Sequence, residues 1–251
     1  MGQFESVFGD AAAADQQRTI HALLVYDQVV CIAHAVAGAP EIRNARPKLQ
    51  HLRRNKLNTM GGQTGQGLAI LFELELASRM LRSLWEVQFA EPDIVLTIPD
   101  VGSAAIACKR PRAPHAIGRN IREAGQQIAR SGLEGVVVMT VDGFAPTFVK
   151  GARTAEDLAK AGNVWLDKLV EDWAGTIADA FDNSVSGVIF IHRFAGMVKQ
   201  PSSFRWTLCT KRVPNLEQPY GYAIAELLDR AIRQLPDSFS LGHPAASLGG
   251  T

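Results

Sequence analysis

The run Val136-Val137-Val138-Met139-Thr140 constrains the fold more than any other stretch of the chain. Successive residues of a strand point to opposite faces, so a run apolar at nearly every position needs apolar cover on both sides. Such a strand belongs in the middle of a sheet with helices above and below it. The flanking segments supply candidates. Ile117, Ile121, Ala124 and Ile128 make one stripe on a helix from about Ala116 to Arg130, and Thr154 with Asp157 three residues on is a capping-box-like start for a long helix to about Asp182. The expected class is α/β, a mixed sheet flanked by helices.

Reading outward from that strand gives the rest of the order. Ile20 to Ala37, with Ile20, Leu23, Leu24, Val30 and Cys31 at helical spacings, is expected to be a packed amphipathic helix. Residues 41–67 are polar, basic and then glycine-rich, a connection with one helical turn around Leu49 to Leu52. A helix from about Leu68 to Val87 follows, then a strand near Asp93 to Ile98, a turn at Asp100-Val101-Gly102 and a strand from Ser103 to Lys109. Beyond the long helix come strands near Gly187 to Phe194 and Phe204 to Lys211, and a helix from Gly221 to Gln234. No composition break divides the chain, so one domain is expected over residues 1–235, with a core at about 68–140, an N-terminal helical extension at 10–60 and a C-terminal extension at 154–235. Residues 236–251 read as a mobile tail.

Composition excludes several function classes. With 251 residues, 47% hydrophobic and 20% charged, the chain has material for a core and is neither a disordered segment nor a disulfide scaffold. Cys31, Cys108 and Cys209 lie far apart, which argues against zinc or disulfide patterns and fits a reducing compartment. No basic leader with an apolar core opens the sequence and no segment reaches 18 uninterrupted apolar residues, so a cytoplasmic protein without membrane contact is expected. The glycine-rich segment Asn58 to Gly67 lacks the Gly-Lys-Ser/Thr ending of a phosphate-binding loop and follows no strand, so ATP or GTP binding is not expected there.

The formal charge is only +1, yet it is polarised. Residues 41–56 carry Arg43, Arg46, Lys48, Arg53, Arg54 and Lys56 against Glu41 alone, a local +5. Residues 109–130 carry Lys109, Arg110, Arg112, Arg119, Arg122 and Arg130 against Glu123, again +5, which leaves −9 on the remainder. Two basic segments of this kind suit a polyanion such as nucleic acid, or are solvated loop faces.

Between them lies the hairpin that carries chemistry. A three-residue loop at Asp100-Val101-Gly102 would pair Pro99 with Ser103 and set Asp93 opposite Lys109, with residue 107 on the same face as both. A strand carboxylate facing a lysine is an ordinary cross-strand ion pair, or the start of a site for metal-assisted phosphodiester hydrolysis. The helix before the hairpin offers two further carboxylates. Glu73 shares a face with Ala69, Ile70, Ala77, Met80 and Leu84, whereas Glu75 lines up with Arg79, Arg82 and Glu86 on an expected solvated ion-pair stripe. A carboxylate on an apolar face needs a buried partner, which makes Glu73 the site candidate and Glu75 the fallback.

Helix with an acidic residue, strand with Pro92-Asp93, strand ending Ala107-Cys108-Lys109 before Arg110-Pro111, helix with Ala124-x-x-Gln127-Ile128, apolar strand: over about Leu68 to Thr140 this order resembles the PD-(D/E)XK nuclease superfamily, the restriction-endonuclease-like fold. The resemblance implies a Mg²⁺- or Mn²⁺-dependent nuclease acting on DNA. Asp93 and Glu73 would hold metal, Lys109 would position the attacking water, and Gln127 would support the site or a phosphate. Position 107, where that family carries Asp or Glu, is Ala, so the resemblance implies a missing ligand and an impaired enzyme. A natural degenerate homologue and a deliberate Glu-to-Ala exchange both account for it, and the intact surroundings favour the exchange. By analogy restriction, phage defence or a toxin is the setting. Arg43, Arg46, Arg53, Arg54, Lys56, Arg110, Arg112 and Arg119 are the expected nucleic-acid contacts. The alternative is a non-catalytic relative that binds DNA or a partner protein, with the C-terminal half as a surface for a partner or a second copy. His192, inside a strand, is expected to be a satisfied structural histidine, and Trp165 and Trp173 are core or interface anchors.

Overall fold

A computed structural model describes residues 33, 37, 39–54, 66–146, 152–199, 202–218 and 221–233. Among them six strands form one mixed sheet whose spatial order is their chain order: β1 (Glu86–Phe89), β2 (Ile94–Ile98), β3 (Gly102–Lys109), β4 (Gly135–Thr140), β5 (Val185–Lys199) and β6 (Ser202–Pro214). The β1/β2, β2/β3 and β5/β6 pairs are antiparallel, and β3/β4 and β4/β5 are parallel. Parallel neighbours need crossovers. Helix α3 (Ile117–Ser131) carries the chain from β3 to β4, and α4 (Ala155–Asp172) with the short α5 (Ala174–Ala178) lies between β4 and β5.

The apolar run sits where its two-faced pattern requires, with Val136 to Met139 all 0% exposed between β3 and β5. Val136 and Val138 join one core cluster with α1 (Ala45–Arg54), α2 (Gln66–Leu81) and α6 (Gly221–Arg233). Val137 and Met139 join the other, with α3, α4 and α5. Thr154 caps α4 as its spacing predicts: its hydroxyl accepts from the Asp157 amide while the Asp157 carboxylate accepts from the amides of Arg153 and Thr154.

Several sequence expectations need correction. The helix expected to reach Val87 stops at Leu81, because Leu84 takes a left-handed φ of 62° and the amides of Ser83 and Leu84 close the end on Met80 and Leu81. The residues beyond it alternate, with Val87 and Phe89 buried, and form the unexpected edge strand β1. The single turn around Leu49 to Leu52 is a ten-residue helix, α1. The helix expected to run from Thr154 to Asp182 breaks at Trp173, whose φ of −116° and ψ of 10° leave the helical region. The last two strands are longer than their apolar runs, 15 and 13 residues. The first expected helix, Ile20 to Ala37, lies outside the described residues except for Ala33 and Ala37, which are helical. The glycine-rich residues 55–65, Gln234 and residues 236–251 lie outside them too. Among the described residues no helix is long and apolar enough to cross a membrane.

The hairpin register also differs. Ile98 pairs with Gly102 and Ile94 with Ile106, so the loop is Pro99-Asp100-Val101, one residue earlier than expected. Asp100 takes a φ of 63° and Gly102 one of 110°, a value that favours glycine. Continued one residue past Ile94, this register sets Asp93 opposite Ala107 rather than Lys109. The shift is by two residues; positions 107 and 109 share a face of β3, whereas Asp93 precedes β2 and turns its carboxylate to the Cys108 amide.

Candidate functional site

The site forms where β2 begins and β3 ends. β2 stops pairing at Ile94, which leaves the amide of Cys108 without a ladder acceptor; the Asp93 carboxylate takes that place, its Oδ2 accepting from the Cys108 N–H at 2.8 Å. Lys109 closes β3 on the side of α3, and its Nζ donates to Gln127 Oε1. Ala124 and Ile128 of α3 are fully buried, and that anchors the turn from which Gln127 reaches the strand end. On the other side of the sheet Glu73 of α2, only 8% exposed, is ion-paired with Lys48 of α1, whose ammonium also lies 5.6 Å from the centre of the Phe89 ring. A buried carboxylate without a cation would be costly; Lys48 is the partner that the apolar face of Glu73 called for.

These groups share one electrostatic neighbourhood. Burial pushes the Asp93 carboxyl up and the charge of Glu73 pushes it further, to about 7, although the Cys108 amide, Lys109 and Lys48 all pull it down. The Cys108 thiol is driven well above its ordinary range by burial and by the same two carboxylates. Asp93, Glu73, Lys109 and Gln127 are therefore brought together, with Lys48 as a fifth member that entered the sequence reading only as part of a basic segment. Position 107 contributes a methyl group, 0% exposed and packed in the core on the α3 side.

A hard divalent cation is bound through oxygen ligands, carboxylates foremost. Asp93 and Glu73 provide two carboxylates, each already engaged, and Ala107 provides none. Among the described residues no group of three His, Cys, Asp or Glu is placed to hold a metal ion.

The basic residues lie on two stretches, one at α1 and one from Lys109 into α3. Arg43, Arg46 and Arg53 are exposed beside or on α1, the helix that sends Lys48 to Glu73. Arg112 and Arg119 are exposed between Lys109 and the first turn of α3, with Arg119 3.7 Å from Glu123, and Arg110 is half-buried. Arg130 pairs with Glu91 at 2.8 Å. The side chain of Arg54 and all of Lys56 lie outside the described residues.

Glu75 does not lie on a solvated stripe. Its side chain is 14% exposed and accepts from Arg79 Nε at 3.2 Å, Arg79 Nη2 at 3.0 Å and Arg193 of β5, while Arg79 Nη1 donates to the Ile232 carbonyl at 3.1 Å. Phe72, Glu75, Arg79 and Arg193 line a cleft with Thr140, Asp142 and His192, where the end of β4 meets the middle of β5. His192 is 1% exposed, with Nδ1 2.6 Å from Asp142 Oδ1 and Nε2 3.2 Å from the Pro146 carbonyl. Its ring meets Phe194 edge-on at 4.5 Å, and Trp165 packs 6.0 Å from Phe194 as part of the same core. Desolvation raises the Asp142 carboxyl, but the hydrogen bond and charge of His192, the Thr140 hydroxyl and Arg110 outweigh it and hold Asp142 below the usual carboxylate range. Sequence patterns missed this cluster because Asp142 and His192 are 50 residues apart and meet only through the parallel β4/β5 pairing.

No family model, no curated protein and no solved structure matches the chain.

Proposed function

We propose that the β2/β3 strand end is the hydrolytic centre of a metal-dependent nuclease of the PD-(D/E)XK, restriction-endonuclease-like type, acting on DNA, and that Ala107 leaves this chain impaired. The observation that carries the reading is the convergence of Asp93, Glu73, Lys109 and Gln127 on one strand end, with the Asp93 carboxyl pushed to about 7. Strongly shifted groups gathered at one strand end are a mark of functional sites. In this reading the Lys109 ammonium, fixed by Gln127 through one of its protons, keeps two donors to orient a water and to offset charge developing on a phosphate. Mg²⁺ or Mn²⁺ would complete the centre once position 107 carries a carboxylate, since a glutamate there shares a face of β3 with Lys109, one residue before the Cys108 amide that Asp93 accepts from. The exposed Arg43, Arg46, Arg53, Arg112 and Arg119 would meet the phosphate backbone.

The test is cleavage of plasmid and linear DNA with Mg²⁺ or Mn²⁺ by the chain as it stands, by Ala107→Glu, and by Ala107→Glu combined with Asp93→Asn. Turnover by Ala107→Glu at least 100-fold above the other two supports the reading. No cleavage by a folded Ala107→Glu protein, its melting transition intact, overturns it. The complete burial of Ala107 among apolar side chains favours a second reading, a non-catalytic protein that binds DNA through its basic segments. Affinity that falls steeply with salt and ignores chelators is its signature.

A further inference from the structure

The turn that follows β4, residues 141–146, is held from two sides. On one side His192 of β5 offers both ring nitrogens to it, Nδ1 to Asp142 Oδ1 at 2.6 Å and Nε2 to the Pro146 carbonyl at 3.2 Å. On the other side Gly143 presses on the chain just beyond Lys109: a Cβ added at Gly143 would lie 2.7 Å from the Pro111 carbonyl oxygen and 3.3 Å from Arg112 Cα. Only a hydrogen at that position permits the approach. The turn is closed internally by the amides of Phe144 and Ala145, which donate to the Val141 carbonyl, and is tied to β5 by the Val141 amide on Ile191.

Both groups facing His192 are acceptors. A neutral imidazole has one N–H and can satisfy only one of them; the doubly protonated ring donates to both. Asp142 is its direct counter-ion and is itself attracted to Arg110. In the neighbouring cleft the single carboxylate of Glu75 faces two guanidiniums, Arg79 and Arg193. From β6 the cross-strand neighbour is Cys209, whose thiol donates to the Ala159 carbonyl at 3.6 Å, and from α4 the ring meets Trp165, which carries no charge.

We propose that His192 is a positioning residue: as an imidazolium it pins the 141–146 turn against Pro111 and Arg112, and so sets where Lys109 and Arg110 stand at the end of β3. Loss of one ring proton releases one of the two bonds, loosens the turn and frees the Lys109–Arg112 segment. The candidate site is thereby tied to pH through a histidine that touches none of its members. Only the catalytic consequence rests on the hydrolytic reading above; the latch itself does not.

The experiment is nitrogen-15 NMR of the histidine rings in the full chain, with amide hydrogen exchange across pH corrected for the intrinsic rate. The expected result is two protonated nitrogens on His192 wherever the turn is protected. As the second proton is lost, protection at Phe144 and Ala145 falls at least about tenfold, the scale of a hydrogen bond to a charged group. His192→Phe, which fills the space beside Phe194 without donors, shows the low protection at every pH, and the segment 109–112 loosens with it. A single protonated ring nitrogen while the turn is protected overturns the proposal, as does a turn whose protection has no step. Should His192→Phe not fold, the ring signals and the exchange of the unaltered chain decide alone. In the Ala107→Glu background cleavage declines over the same pH step. Absence of cleavage there counts against the hydrolytic reading, while the ring and exchange results judge the latch.

Discussion

Asp93 and Asp142 stand at the same end of the sheet's strands, each just outside an interior strand, and their carboxyls are driven in opposite directions. Asp142 loses solvation but gains a histidine ring, a hydroxyl and an arginine, and is held below the ordinary range. Asp93 gains an amide and two lysines, yet burial and a second carboxylate overrule them and carry it to about 7. Asp93 is half-buried and Asp142 keeps an exposed face; the further difference is whether the fold supplies matching charge. A compensated carboxylate is cement for a turn. An under-compensated one is held against its own preference by surrounding structure, and it is at such positions that chemistry is found.

The contrast can be pushed hardest through Lys48. Lys48→Met removes a cation that partly restrains Asp93 and leaves buried Glu73 without its partner. A loss of about 3 kcal/mol in urea unfolding at neutral pH is expected, with the Asp93 carboxyl rising further. An unchanged midpoint would mean that Glu73 finds another cation. Asp93→Asn acts in the opposite sense. The folded chain keeps the Asp93 proton up to about 7, whereas the unfolded chain releases it near 3.8, so the folded state binds more protons between those values and stability falls as pH rises through that window. Asp93→Asn should flatten this slope and be more stable at pH 8 by on the order of 2 kcal/mol, measured by thermal melts at several pH values. A slope that survives the substitution would assign it to another group. Asp157, exposed at the start of α4 and held low by the amides of Arg153 and Thr154, is the mild control. Its contribution is present above the ordinary carboxylate range and fades as pH falls below it, so Asp157→Asn should cost little at neutral pH and nothing in acid.

The parts of this arrangement that were legible in sequence are those fixed by local periodicity. Val136 to Met139 announced a strand covered on both faces, Thr154 with Asp157 announced a capped helix, and alternation put positions 107 and 109 on one face of β3. Glu73 against Glu75 was separable by helical spacing, and Glu73 is the one beside Asp93. What failed was set by distant partners. The hairpin register was off by two because Pro99, Asp100, Val101 and Gly102 admit two loop placements, and pairing chose between them. Glu75 was read as solvated because its other cation, Arg193, is 118 residues away. The end of α2 at Leu81 had no glycine or proline to mark it; Leu84 takes the left-handed turn that glycine usually takes, and β1 follows only because β2 offers it an edge. Lys48 was visible as charge, but nothing in a ten-residue basic helix says which of its cations turns inward.

The long β5/β6 pair also bears on the order in which the molecule comes together. Its 13 matched pairs join neighbouring segments of chain, the kind of contact that a hairpin makes in about 1–10 μs. The β3/β4 and β4/β5 ladders join segments separated by whole helices, and loop closure delays such contacts. The C-terminal ribbon can therefore stand before the parallel ladders exist. The 141–146 turn, tied to β5 by the Val141 amide and by His192, needs β4 beside β5 and comes only once those ladders have zipped.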